Sequence, residues 1–407
     1  MKILVLAGGF DQIALIQTLK RYQHTVLLAD YFENPPAKDF ADHFFRISTL
    51  DEEAIFALAQ REKVDLVTTA CTDQALLTVA RVSERLNLPC YLDSEKALSV
   101  TNKFYMKSVF KKCGIPTAPF VLLDKTDDWR TSLSLKEFPL IVKPCDCNSS
   151  KGVLKVENEA ALEAALNTAF SLSRSGKAVV ERFLPGEEIS VDVWVEDDCA
   201  KVLCATQTRK LQENEDAFTI YQSCYPVAGY DTIEKQVQSI ADKIAKGFGL
   251  RNCPLLIQAM VFDGEVYVIE FSARMGGGTK YKLIETISGI DIMDVYVRRV
   301  LGDEGQTVEP RLSKKQIELN YVYVFPGTVT DIIGKDKLLA EGVMKDCFIY
   351  KPLGAYVEKR TTSSDRVMGF LLTEDTPEKL EQARCKCLVD LDILDDGRSI
   401  MFRECFQ

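Results

Sequence analysis

Along the first 92 residues the apolar positions gather into short runs at Ile3–Leu6, Thr25–Ala29 and Leu66–Thr69, and between these runs they recur with helical spacing at Gln12–Arg21 and Glu52–Glu62. Strand and helix in alternation predict a parallel α/β unit. Asp93-Ser94-Glu-Lys-Ala-Leu98 then supplies a cap, and the pattern predicts one helix through Lys112, stopped by Gly114 and Pro116. Beyond it the pattern turns strand-rich, with segments at Phe120–Leu123, Leu140–Lys143, Val153–Val156, Ala178–Phe183 and Ile189–Val195, and one helix from Glu159 to about Ser173. After a polar loop at Lys210–Glu215, a helix over Ile233–Phe248 precedes two strands, Leu255–Phe262 and Val266–Phe271. Asp263-Gly264 joins them, a strong hairpin signal. The last section carries strands at Ile317–Val324, Phe348–Tyr350 and Val367–Leu372, a turn at Phe325-Pro-Gly327 and a helix from Pro377 to about Asp390.

These patterns predict a mixed α/β and α+β protein with a Rossmann-like parallel-sheet domain at residues 1–92. A two-part α+β core follows at 93–312, with a flexible subdomain at about 115–185, and a small α+β domain at 313–407. A chain of 407 residues with 46% hydrophobic content is long for one core and rich enough for several.

Charge and composition narrow the function. A net charge of −10 argues against nucleic acid or an anionic membrane as the main partner, since either would need a basic face. Small-molecule substrates are expected. No apolar run approaches the roughly 20 residues of a membrane span, and Met1-Lys2-Ile-Leu-Val-Leu-Ala-Gly-Gly9 reads as a buried strand rather than a signal peptide, so a cytoplasmic location is expected. The 13 cysteines form no Cys-x-x-Cys pair, which favours reduced thiols. Only His24 and His43 supply imidazole, so histidine-based zinc chemistry and a Ser-His-Asp triad are excluded as expectations.

The chemistry-bearing segments lie in the middle of the chain. Phe138-Pro-Leu-Ile-Val-Lys143-Pro delivers a lysine at the end of a short strand. Asn148-Ser-Ser-Lys-Gly152 follows as a small polar loop whose backbone N–H groups can fold around phosphate oxygens, which reads as a phosphate clamp. Val179-Val-Glu-Arg-Phe-Leu184 with Pro185-Gly-Glu-Glu-Ile-Ser-Val-Asp192 reads as strand, tight turn and strand, a connector able to wrap an adenosine. Backbone near Arg182–Leu184 would read the base, and Glu188 would take the ribose hydroxyls. In the hairpin, a strict two-residue turn would face Gln258 away from Glu270, whereas a three-residue connection sets them opposite each other; the second register is the expected one. Glu270, Ser272 and Arg274 then share a face, offering a carboxylate for Mg²⁺, a hydroxyl, and a cation for a phosphoryl group or substrate carboxylate. Met275-Gly-Gly-Gly278 adds bare backbone for close approach. In the first domain the loop Ala7-Gly-Gly-Phe-Asp-Gln12 lacks the three-glycine dinucleotide spacing, although Asp30 stands where such folds hold ribose. Asp73 is either substrate-facing or a helix cap.

The order Lys103, Lys143, Ser/Gly loop, Glu181…Glu188 and Glu270-x-Ser-x-Arg274 resembles the ATP-grasp superfamily over nearly the whole chain. The α/β domain ahead of it looks like the one that precedes the ATP-grasp core in carboxylate–amine ligases, biotin carboxylase and carbamoyl-phosphate synthetase. The tail, with Pro326-Gly327 and Asp365-Arg-Val-Met-Gly369, is similar to that of bacterial L-amino-acid ligases. The resemblance implies an ATP-dependent, ADP-forming ligase that activates a small carboxylic acid, amino acids included, as an acyl phosphate and joins it to an amine. It also implies a homodimer.

By the same resemblance Lys103 and Lys143 would contact ATP phosphates under the loop that contains Ser149, Ser150 and Gly152. Glu181, Phe183 and Leu184 would bind adenine, and Glu188 ribose. Glu270, with Gln258 and Ser272, would hold magnesium, or manganese in its place, and Arg274 would hold the acyl phosphate or an incoming carboxylate. The chain departs from the family pattern at Gln258, where an acid is usual, at Ser272, where asparagine is usual, and in its glycine-poor loop. Those departures define one alternative, a catalytically degenerate ATP-binding module. A bicarbonate-using carboxylase of the same fold is another, and a nicotinamide dehydrogenase built on residues 1–92 a third.

Overall fold

The computed structural model describes residues 1–407 apart from 136, 148–150, 212–218, 304–306, 359–361, 404, 405 and 407. Four parallel strands open the chain: β1 (Lys2–Leu6), β2 (Thr25–Asp30), β3 (His43–Arg46) and β4 (Leu66–Thr68), in the order β3-β2-β1-β4. Helices α1 (Phe10–Arg21), α2 (Glu52–Glu62) and α3 (Asp73–Leu86) accompany them. The turn after β1 is braced from within. The Asp30 carboxylate accepts the backbone N–H of Gly8 at 2.6 Å and of Phe32 at 2.7 Å, so the acid that a dinucleotide fold would offer to ribose is already engaged. Gly8 is needed for the close approach of the next loop, because a Cβ there would come within 2.7 Å of the Pro35 Cβ.

The single helix expected from Ser94 to Lys112 is two helices, α4 (Ser94–Thr101) and α5 (Lys103–Cys113). Asn102 breaks it: its backbone is extended (φ −120°, ψ 116°) and its side chain accepts the Phe104 N–H at 3.0 Å, capping the second helix. The break turns Lys103 into the first residue of α5. Its backbone N–H then bonds the Cys145 carbonyl at 2.8 Å, docking the helix on the segment that follows the Lys143 strand.

A four-stranded antiparallel sheet follows, formed by β5 (Phe120–Asp124), β6 (Leu140–Pro144), β7 (Leu154–Val156) and β8 (Lys177–Arg182) in the order β5-β8-β6-β7. A short α6 (Trp129–Ser132) and the longer α7 (Glu159–Leu172) accompany it. Alternation gives this sheet two characters. Leu140, Val142, Ala178 and Val180 join the apolar cluster with Leu162 and Leu166 of α7, which leaves Ile141, Lys143 and Glu181 on the opposite face.

The main sheet has nine strands among the described residues and is antiparallel at each pairing. It runs β13 (Glu265–Ser272), β12 (Cys253–Phe262), β9 (Glu187–Glu196), β10 (Cys199–Lys210), β11 (Ile220–Tyr225) and β14 (Gln316–Val324), then Met368–Glu374 and Asp346–Ile349, with Met401–Phe402 also paired to β14. Residue 312 therefore falls between strands of one continuous sheet. Helices α8 (Tyr230–Gly247), α9 (Lys280–Ser288) and α10 (Ile292–Val300) accompany it. Strands β10 and β11 escape the sequence pattern. They lie mid-sheet with both faces covered, and β10 buries consecutive residues from Leu203 to Thr206 without alternating.

The β12–β13 hairpin pairs Gln258 with Glu270 as expected, but by another device. Its turn is the strict two-residue one, Asp263-Gly264, with Phe262 opposite Glu265; the register shifts by one residue at a bulge that leaves Ile269 unpaired. The bulge changes which parity faces the core. Val266 and Val268 point inward before it, and Phe271 and Ala273 after it, so Glu270 and Ser272 stand on the open face.

Candidate active site

Between the smaller antiparallel sheet and the main sheet lies a cavity of about 890 Å³. Its walls include Ile141, Lys143, Lys151, Lys155, Glu181, Phe183, Leu184, Glu188, Lys210, Gln258, Met260 and Glu270, with Lys103 at one end. Lys103, Lys143, Glu181, Phe183, Leu184, Glu188, Gln258 and Glu270, named from the sequence, are thus brought to one space. Gly152 is not among the wall residues; it has φ +76° and packs toward Leu172 and Pro144. Ser149 and Ser150 lie outside the described residues, as does most of the polar loop expected at Lys210–Glu215.

The cavity charges named from the sequence are already paired. Lys103 Nζ stands 3.0 Å from the Glu270 carboxylate and donates to the Cys147 carbonyl at 2.8 Å. Lys143 forms an ion pair with Glu181, which is a diagonal neighbour across β6 and β8 because Ile141 is its direct partner. Glu181 also pairs with Lys107 at 2.9 Å, and Glu188 with Lys210. Burial alone would raise the pKa of Glu181, but Lys107 and Lys143 outweigh it and bring the value down to about 2. Burial likewise opposes the charge of Glu270, and Lys103 and Lys143 hold its pKa below the usual range. Gln258 reaches Glu188 with its amide nitrogen at 3.5 Å.

A second cavity of about 630 Å³ adjoins the first and shares Lys103, Thr208, Gln258 and Glu270 with it. Ser272 and Arg274 line this second space, as do Gly276, Gly277, Gly278 and the carboxyl-end residues of the parallel sheet, Gly9, Asp11, Cys71 and Asp73. Arg274 forms an ion pair with Asp73 and donates to the Met275 carbonyl at 2.7 Å. Asp73 is the first residue of α3 with Thr72 at the N-cap, so its carboxylate turns to Arg274. Asp11 accepts the backbone N–H groups of Gly278 at 2.9 Å and Thr279 at 2.7 Å, fixing the glycine loop, while burial raises its pKa against those bonds. Arg366 lines the same cavity and lies over the Tyr321 ring at 4.0 Å, with its buried Nε lacking a hydrogen-bond partner among the described residues. On the floor, Lys280 Nζ donates to Ser190 at 2.7 Å and Thr206 at 3.1 Å and lies 3.3 Å from Asp192.

A model of the ATP-grasp domain matches residues 136–282, the stretch that supplies most of the cavity between the two sheets. Residues 136–282 are an ATP-grasp domain. The ATP-grasp fold extends beyond that stretch. The structure of an L-amino acid ligase from Bacillus licheniformis superposes with a TM-score of 0.80 at 20% identity, covering 97% of this chain and 98% of that one. The biotin carboxylase domain of the Hydrogenobacter thermophilus 2-oxoglutarate carboxylase, solved with MgADP, ADP and bicarbonate, has a TM-score of 0.76 at 16% identity over 97% of this chain and 90% of that one. In sequence, the formate-dependent phosphoribosylglycinamide formyltransferase of Hydrogenovibrio crunogenus is 27% identical over 281 residues, 67% of this chain and 69% of the relative.

Sequence reasoning missed two lysines that pair with carboxylates of the first cavity, Lys107 with Glu181 and Lys210 with Glu188. Lys107 follows Lys103 by one helical turn, a spacing that was a usable signal. Lys210 ends β10, a strand whose pattern gave no warning. Among the described residues no helix is long and apolar enough to cross a membrane, no cluster of three or more His, Cys, Asp or Glu could hold a metal, and the cysteines are free thiols.

Proposed function

We propose that the protein is an ATP-dependent ligase that activates a small carboxylic acid, amino acids included, as an acyl phosphate and joins it to an amine, releasing ADP and phosphate in the cytoplasm. The observation that carries this reading is the meeting of two cavities at Lys103, Gln258 and Glu270. ATP seated in the first, with its base near Phe183 and Leu184 and its ribose at Glu188, would present its terminal phosphoryl group at that junction, within reach of a second substrate held by Arg274.

The donor set suits magnesium or manganese brought in with the nucleotide. Glu270 supplies one carboxylate and Gln258, opposite it in the hairpin, an amide oxygen, which fits an ion that keeps phosphate oxygens and water as its other partners. Such an ion neutralises phosphate charge. Ser272 faces the second cavity and would serve the substrate side instead.

The protein's part is positioning and charge. Lys103 and Lys143 face the phosphates, Arg274 and Arg366 orient the acid, and the walls exclude water. A carboxylate oxygen attacks the terminal phosphorus, the bond to the bridging oxygen breaks and ADP leaves. The amine nitrogen then attacks the acyl carbon and inorganic phosphate departs. Neutralising a polyanion needs lysine and arginine rather than an imidazole base.

The test is ADP release from MgATP with hydroxylamine present, across pooled amino acids and other small acids. Acid-dependent ADP with hydroxamate names the acid. MgATP binding without acid-dependent ADP would overturn the ligase in favour of a binding module, and turnover with bicarbonate alone would move the reading to a carboxylase.

A further inference from the structure

We infer that Lys107 is a positioning residue for nucleotide binding, holding Glu181 so that Lys143 is free to turn to the phosphates. The inference rests on the ATP-dependent reading above. Two lysines share one buried carboxylate: Lys143 approaches Glu181 from the cavity, while Lys107, 1% exposed, approaches from behind the wall at 2.9 Å. Lys107 is fixed there by more than Glu181. Its Nζ also donates to the Thr117 hydroxyl, which in turn donates to the Val268 carbonyl at 2.6 Å, and it lies 5.7 Å and 5.5 Å from the ring centres of Phe110 and Phe120.

The other phosphate-facing lysine supplies the contrast. Lys103 is paired with Glu270, and when phosphates draw Lys103 away, the cation that travels with the nucleotide becomes the new partner of Glu270. No travelling cation is directed to Glu181. If Lys143 moved to the phosphates without a substitute, a carboxylate only 6% exposed would be left unpaired beside a polyanion. Lys107 is that substitute, already in contact. Its upkeep is unfavourable in the free protein, because burial outweighs the attraction of Glu181 and lowers its pKa to about 8, with Lys143 pushing the same way. An apolar residue would fill the space without that penalty, which sets the charge apart from simple packing.

The measurement is MgATP affinity by calorimetry for the wild type, Lys107→Met, Glu181→Gln and the double variant, with melting temperatures alongside. Lys107→Met leaves Lys143 as the sole partner of Glu181, and its dissociation constant is expected to rise about tenfold or more. In the double variant no carboxylate remains to hold Lys143, and affinity is expected to return to within about threefold of Glu181→Gln alone. A merely structural lysine would lower the melting temperature and leave affinity unchanged. Wild-type affinity in Lys107→Met, or a double variant as weak as Lys107→Met, would overturn the inference. If Lys107→Met does not fold, Lys107→Gln takes its place in the comparison: a dissociation constant raised about tenfold supports the inference and wild-type affinity refutes it. A wild type that does not bind MgATP overturns the ATP reading before any variant is compared.

Discussion

The two cavities that meet at Glu270 are built in different ways. The first is made from neighbouring strands: Lys143 and Glu181 face each other diagonally across β6 and β8, and Gln258 and Glu270 across β12 and β13. The second is gathered from remote segments, with Asp73 at the head of α3, Arg274 after β13, Asp11 in the first turn of α1 and Arg366 near the end of the chain. A strand-built cavity inherits its geometry from ladder spacing. An assembled one depends on how several elements dock, so its side chains need partners to hold them, as Asp73 holds Arg274 and Tyr321 carries Arg366. The common step would then be read by the first cavity, and the identity of the acid and amine by the second.

That division can be broken by experiment. The largest effect is expected for Lys143→Ala, which should lower ATP turnover by about 10²- to 10³-fold. Its melting temperature should stay close to wild type, because Lys107 still neutralises Glu181; equal turnover in steady-state assays would remove Lys143 from the mechanism.

Next comes the pH dependence of Glu181. Its folded pKa of about 2 lies below the ordinary carboxylate value, so its contribution to stability is present above about pH 4.5 and is lost as pH falls toward 2. Denaturant unfolding at pH 5 and pH 3 should show a loss in the wild type that exceeds the loss in Glu181→Gln by about 2 kcal/mol.

A third substitution probes the second cavity. Gly278 has φ +73°, and a Cβ there would overlap the Arg366 guanidinium. Gly278→Ala should raise the KM for the acid or amine about tenfold and leave the KM for ATP unchanged. A matching rise in both would show that the two cavities are not separable.

The smallest effect concerns the hairpin itself. Gln258→Glu adds a charged oxygen opposite Glu270 and should lower the half-saturating magnesium concentration about threefold in an activity titration. No change would mean that the amide already serves as well as an acid there.

The parallel α/β opening, the hairpin dipeptide and the strand carrying Lys143 were legible because each is a local pattern in which the period and the turn residues agree. Less was legible where burial on both faces erased the alternation, as in β10 with Lys210, or where one residue overrode a helical pattern, as Asn102 does ahead of Lys103. The sequence alone determined which residue types would line the two adjoining cavities: Lys103 and Lys143 ahead of Glu181, and Glu270 two residues from Ser272 and four from Arg274. Tertiary structure alone decided which charges share a partner, because the docking of Lys107 behind Glu181 and the pairing of Arg274 with Asp73 arise from contacts between distant segments. Local spacing records the geometry of one element. The field at a buried carboxylate is a sum over every element packed around it.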